Sequence, residues 1–123
     1  MFHLTIYTHF AAAHNLINYQ GDCENLHGHN WKVEVTVAAE DLDDAGLAID
    51  FKILKKETNL ILDRLDHKYL NDLEPFLDVS PSSEHIARYL YHELATNLNT
   101  GKVKVEKVNV WESENACASY TEG

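Results

Sequence analysis

His27 and His29 stand two positions apart, with only Gly28 between them. In an extended chain, side chains at that spacing leave the same face, so the two imidazoles would project together. His14 ends the apolar face of an earlier alternating segment, the natural antiparallel neighbour of the His27 segment. Three neutral imidazoles converging in this way suit a catalytic zinc site with an open fourth position. With no carboxylate among these three ligands, magnesium and calcium are poor matches. A single histidine at a strand end more often just ends the strand; the pair together with a third is what favours a metal. Gly28 lets the backbone approach a neighbour closely at that point.

Cys23 precedes His27 by four residues and has three readings. It could close a structural Cys-His3 site as a fourth ligand. It could be a nucleophile or base whose pKa a nearby Zn2+ lowers. It could also be an inert loop thiol. Asp66-His67 lies within LDHKYLND, residues 65–72. A carboxylate that orients an imidazole sets its tautomer and raises its basicity, which serves a proton relay. The competing account is an Asp that caps and a His that is solvated. Glu112 continues the phase of Val108 and Val110, and a carboxylate ending a buried face needs a partner. The guanidine-like edge of a heterocycle could donate two parallel hydrogen bonds to it, and a lysine is the structural alternative. No G-x-G-x-x-G, P-loop, H-E-x-x-H or G-x-S-x-G pattern occurs.

Several elements must carry these groups. Residues 2–14 alternate, with Phe2, Leu4, Ile6, Thr8, Phe10, Ala12 and His14 on one side. Residues 15–26 read as a loop, and alternation returns with His27, His29, Trp31, Val33, Val35 and Val37 facing one way. Asp50 is the expected N-cap of a helix with Phe51, Leu54, Thr58, Ile61, Leu62 and Leu65 on its inner stripe. Residues 66–79 read as irregular. Ser80-Pro81 is the expected start of a second helix with the stripe Ile86, Leu90, Leu94 and Leu98, closed by Gly101. In Lys102–Glu112 the apolar phase changes between Val105 and Val108, which predicts a bulge near Glu106-Lys107. A short strand over Ala116–Tyr120 completes β-β-α-α-β-β, an α+β domain with helices segregated on an antiparallel sheet. So few strands leave open edges, which favours self-association.

The 123 residues suit one domain, 1–123, and carry a formal charge of −10. That sign discourages binding to phosphate backbones and anionic membranes, so neither nucleic acid nor membrane is an expected partner. No apolar run approaches the roughly 20 residues of a spanning helix. Met1–Phe10 lacks a basic n-region, so a cytoplasmic protein with reduced Cys23 and Cys117 is expected.

Taken together, AAAH ending at His14, the Cys23-to-His29 element, LDHKYLND, the Pro81-to-Glu84 helix start and the Val110-to-Ser113 segment resemble the 6-pyruvoyl-tetrahydropterin synthase / 6-carboxytetrahydropterin synthase family. The resemblance runs in order across nearly the whole chain. It implies a tunnelling fold (T-fold), a four-stranded antiparallel sheet with two helices on one face, assembling into a barrel as a trimer or hexamer. It implies Zn2+ on His14, His27 and His29, Cys23 as proton acceptor, and Asp66 and His67 as a relay from a neighbouring subunit. Glu112 would anchor the pterin and complete the catalytic relay, with Ser82 and Ser83 at the pterin edge, although relatives often carry Thr there. Three residues between Cys23 and His27 resemble the 6-carboxy-5,6,7,8-tetrahydropterin synthases of queuosine biosynthesis, zinc-dependent lyases. These act on 7,8-dihydroneopterin triphosphate; the 6-pyruvoyl enzymes typically have a longer gap. A zinc-stabilised pterin-binding module without turnover is the non-enzymatic alternative. For a substrate so anionic, the −10 charge must be offset locally, by residues such as Lys32, Lys52, Lys68 or Arg88.

Overall fold

The computed structural model describes residues 1–20 and 24–123. Strands β1 (Phe2–His14) and β2 (His27–Ala39) pair antiparallel without a break, from Phe2 opposite Ala39 to His14 opposite His27. Their period-two patterns coincide on one face. Ile6, Phe10 and Ala12 are buried there with Trp31, Val33, Val35 and Val37, and Phe10 stacks on Trp31 at 5.8 Å.

After helix α1 (Phe51–Leu62) and helix α2 (Ser83–Leu98), a strand over Lys104–Ser113 joins β2 and a last strand over Ala116–Thr121 joins it in turn, both antiparallel. The expected bulge is present. Val37 pairs with Val105 and Thr36 with Lys107, so Glu106 is the extra residue. It returns Val105, Val108 and Val110 to a single face, where all three are buried.

Among the described residues the sheet has five strands rather than the expected four. The additional one, β3, is only Lys68–Tyr69, and it runs parallel to Ala12 and Ala13. With the two C-terminal strands numbered β4 and β5, the order is β3-β1-β2-β4-β5. Two residues carry no readable period, and what seats them is local bonding. Asp66 Oδ1 accepts from the Ala11 N–H at 2.9 Å, and the His67 N–H donates to the Ala11 carbonyl at 2.5 Å. His67 adopts a left-handed backbone, φ 58°, a conformation held only where surrounding bonds demand it. The segment expected to be irregular continues in two 3-10 turns, Leu70–Asp72 and Glu74–Phe76, which sink Leu70 and Phe76 into the core.

Both helices cover the buried face, α1 against β1 and α2 against β4 and β5. Asp50 caps α1 by accepting from the Lys52 N–H at 2.8 Å. Leu54, Thr58, Ile61, Leu62 and Leu65 are buried as expected, but Phe51 is 54% exposed. It lies with Lys52 and Lys55 beside Thr5 and Tyr7, because α1 packs on the outermost long strand and its first turn overhangs the edge. Replacing Asp50 by alanine is expected to cost about 1 kcal/mol, lowering Tm by about 4 °C in a thermal melt.

Helix α2 begins later than Ser80-Pro81 suggests. Its N-cap is Ser82, which accepts from the His85 N–H at 3.1 Å. The Ser80 hydroxyl is engaged elsewhere, accepting from the Ile17 N–H and donating to the Ile17 carbonyl. At the other end the helix stops at Leu98, ahead of Gly101. Asn99 adopts an extended backbone and its side chain accepts from the Val105 N–H, so the chain turns into β4 without a left-handed glycine. Among the described residues no helix is long and apolar enough to cross a membrane.

Candidate metal centre

The β1–β2 register sets His14 opposite His27, and Ala12 opposite His29, at one end of the buried face. The three imidazole centroids are 4.6, 4.7 and 5.2 Å apart. One donor atom from each, together with one carboxylate oxygen of Glu112, lies within 4.8 Å of all the others.

Each of two rings is oriented by a backbone carbonyl. His14 Nδ1 is 2.7 Å from Pro81 O, and His27 Nδ1 is 2.8 Å from Asn25 O. A carbonyl can only accept, so both protons sit on Nδ1 and each Nε2 keeps its lone pair. Carbonyl partners of this kind commonly hold metal-binding histidines in the required tautomer. His14 is 1% exposed. Burial above all, helped by the neighbouring His27 and His29, holds its pKa below the ordinary 6.5, against the opposing pull of the Pro81 carbonyl and Glu112. The neutral imidazole, the form a metal binds, is therefore favoured.

Two atoms test whether a cation fits. His14 Nε2 and His29 Nε2 are buried and, among the described residues, make no hydrogen bond. His29 Nε2 does lie 3.1 Å from Glu112 Oε1, but without hydrogen-bond geometry. Buried, unpartnered polar atoms are costly, and several aimed at one place are what a bound cation would satisfy. Three imidazole nitrogens and an oxygen match the donor preferences of zinc.

Glu112 borders the three imidazoles, so the structure sets a carboxylate beside the expected three-histidine group. Its phase with Val108 and Val110 was the available signal. Its second oxygen, Oε2, accepts from the buried Ser83 hydroxyl at 3.3 Å. Beneath the cluster lies Trp31, with ring centroids 4.9 Å from His14 and 5.2 Å from His29. The roles of the Pro81 and Asn25 carbonyls had no sequence signal, because any residue supplies a carbonyl.

The other expected groups fall elsewhere. Asp66 Oδ2 is 2.9 Å from His67 Nδ1, so these adjacent residues do meet head-on. The Ala11 N–H first, then His67, holds the Asp66 carboxyl below the usual carboxylate range. The His67 side chain is 81% exposed and borders a cleft of about 550 Å³ whose lining includes Gly28 and His29 as well as Ala11, Ala13, Lys68 and Tyr69. Glu112 and Ser83 border a separate cleft of about 500 Å³ with Ala116, Cys117 and Ser119 at the β5 edge. The hydroxyl of Ser82 is committed to capping α2. Cys117 is a free, exposed thiol, whereas Cys23 lies outside the described residues. Of the four cations, Lys68 lies beside His67, Lys52 at the start of α1 and Arg88 on the exposed side of α2. Lys32 rests over the Tyr7 and Trp111 rings, 3.6 Å from Glu34.

Fold and site together define an α+β protein with a histidine-rich cluster able to hold a metal ion at one end of its sheet. The family model described as 6-pyruvoyl tetrahydropterin synthase matches residues 3–123, and the chain belongs to that family. It is 36% identical over 119 residues to the 6-carboxy-5,6,7,8-tetrahydropterin synthase of Synechocystis, covering 90% of this chain and 86% of that one. Further bacterial and archaeal relatives, 28–35% identical, carry that name, one of them as putative. The human 6-pyruvoyl tetrahydrobiopterin synthase is 34% identical over 119 residues, covering 94% of this chain and 81% of that one. The solved 6-pyruvoyl tetrahydropterin synthase of Caenorhabditis elegans superposes with a TM-score of 0.86 at 26% identity, covering 99% and 96% of the two chains.

Proposed function

We propose that the chain is a 6-carboxy-5,6,7,8-tetrahydropterin synthase of queuosine biosynthesis. It converts 7,8-dihydroneopterin triphosphate and one water to 6-carboxytetrahydropterin, acetaldehyde and triphosphate. The observation that carries the reading is the cluster of unpartnered imidazole nitrogens beside Glu112, in a chain whose bacterial and archaeal relatives bear that name. The three-residue gap between Cys23 and His27 favours the carboxy over the pyruvoyl product.

His14, His27 and His29 would hold zinc, which when bound supplies a Lewis acid for the oxygens of the substrate side chain. Glu112 accepts two hydrogen bonds from the guanidine-like edge of the pterin. Ser83 keeps that carboxylate turned by bonding its second oxygen, and Ser82, as the cap of α2, holds Ser83 in the first turn. Cys23 takes a proton from the side chain of the substrate. Asp66 fixes the tautomer of His67, whose exposed ring passes protons onward.

In this reading His67 and Lys68 serve the site of a neighbouring copy in a trimer or hexamer. The support is positional: His67 borders the β3 edge of the sheet, and the Glu112 cleft borders the β5 edge. Joining unlike edges head to tail closes a ring and removes the open strands. Lys68 would then add positive charge for the triphosphate on an otherwise acidic protein.

The test is incubation of zinc-loaded protein with 7,8-dihydroneopterin triphosphate and identification of the products by mass. Acetaldehyde with 6-carboxytetrahydropterin is expected. A 6-pyruvoyl product without acetaldehyde would establish the second reading, which the human relative favours. Substrate that binds and is recovered unchanged would leave a pterin-binding module.

A further inference from the structure

Asn15, the residue after His14, is held by three hydrogen bonds from one short segment. Its N–H donates to Asn71 Oδ1 at 3.0 Å, and its carbonyl accepts from Asn71 Nδ2 at 2.8 Å. Its side-chain Oδ1 accepts from the Tyr69 hydroxyl at 2.5 Å. All three bonds are partly buried. The Asn71 amide offers one acceptor and one donor to a single residue's main chain, as a strand residue would. It therefore prolongs, with a side chain, the parallel pairing that the backbone makes at Ala12–Lys68 and Ala13–Tyr69.

The same segment grips β1 further back, where Asp66 Oδ1 and the His67 N–H take both main-chain groups of Ala11. The outer side of β1 is thus bonded from Ala11 to Asn15, while among the described residues no strand pairs with that side of Phe2–Phe10. Strand ends are where native structure opens most readily. His14 is the last residue of β1, and a ligand on a fraying end must be ordered at the moment a metal binds.

We propose that Asn71 and Tyr69 clamp Asn15 so that His14 is preorganised for the metal. Because Tyr69 and Asn71 lie two and four residues after His67 in the same segment, the clamp also ties the seating of the Asp66-His67 pair to the metal ligand. Neither residue enters the cluster; both are positioning residues. The inference rests on the metal reading above.

The experiment measures zinc affinity by chelator competition, and the visible spectrum of cobalt(II)-loaded protein, in the full chain. Asn71→Ser and Tyr69→Phe are compared with Val105→Ala, which perturbs the core at the far end of the sheet. Asn71→Ser should weaken zinc about tenfold and Tyr69→Phe about threefold, each with altered cobalt bands. Val105→Ala should lower Tm without changing either readout. Affinities within about twofold of wild type and unaltered spectra in both variants overturn the clamp, whatever happens to Tm. Wild-type protein that takes up neither metal overturns the metal reading and the clamp with it. If Asn71→Ser does not fold, Tyr69→Phe, which removes one oxygen, decides the matter alone.

Discussion

His14→Ala is expected to strip zinc from the protein and abolish turnover while leaving a folded chain. Structural zinc sites in zinc-finger peptides bind with roughly 10–16 kcal/mol in total; on that scale, losing one of three imidazoles should cost about three orders of magnitude in affinity. Chelator competition and elemental analysis check this directly. Truncation also releases the Pro81 carbonyl and opens space beside Trp31, so metal-free Tm should fall by a few degrees. Zinc is expected to raise the Tm of the wild type and to leave that of the variant unchanged. A pH series separates the metal from the fold. The folded-state pKa of His14 lies below its ordinary 6.5, so the unfolded chain takes up the proton first as pH falls. The stability of metal-free wild type should therefore be full above about 6.5 and decline as pH drops toward the folded value. The variant should lose the His14 share of that slope.

Glu112→Gln is expected to lower kcat/KM about a hundredfold, chiefly through KM. The amide keeps the size of the carboxylate but presents an NH2 group where the pterin edge also donates. One of two charge-assisted hydrogen bonds then becomes a repulsion and the other is weakened. Binding of an unreactive oxidised pterin, followed by fluorescence, should weaken in parallel. Zinc affinity distinguishes the two roles open to this residue, since Glu112 Oε1 lies 3.1 Å from His29 Nε2. A change of less than about tenfold is expected for a substrate anchor; a larger loss would make Glu112 a fourth ligand.

Much of this site was legible in the order of residues. Alternation placed His14, His27 and His29 on the buried faces of two strands, because a half-buried strand writes its inner face into every second position. The change of phase between Val105 and Val108 revealed the bulge for the same reason. The start of α2 was misread because Ser80 and Ser82 are equally good caps by residue type. Ile17, far away in the chain, takes the Ser80 hydroxyl and leaves Ser82 to cap the helix. Strand β3 was missed because two residues have no periodicity, and its seat depends on bonds to Ala11 from a carboxylate and an N–H remote in sequence.

The chain order alone determined the fold class, the three converging histidines and the family to which they belong. The first two follow from local rules, period and spacing, which act between near neighbours, and the family follows from the resemblance of its motifs. Only the tertiary structure decided that Glu112 joins the histidines, that Ser83 turns it, that Pro81 and Asn25 set the imidazole tautomers, and that Asn71 holds the end of β1. Each of those depends on hydrogen bonds whose donors and acceptors have no period and become partners only when the sheet and helices have packed.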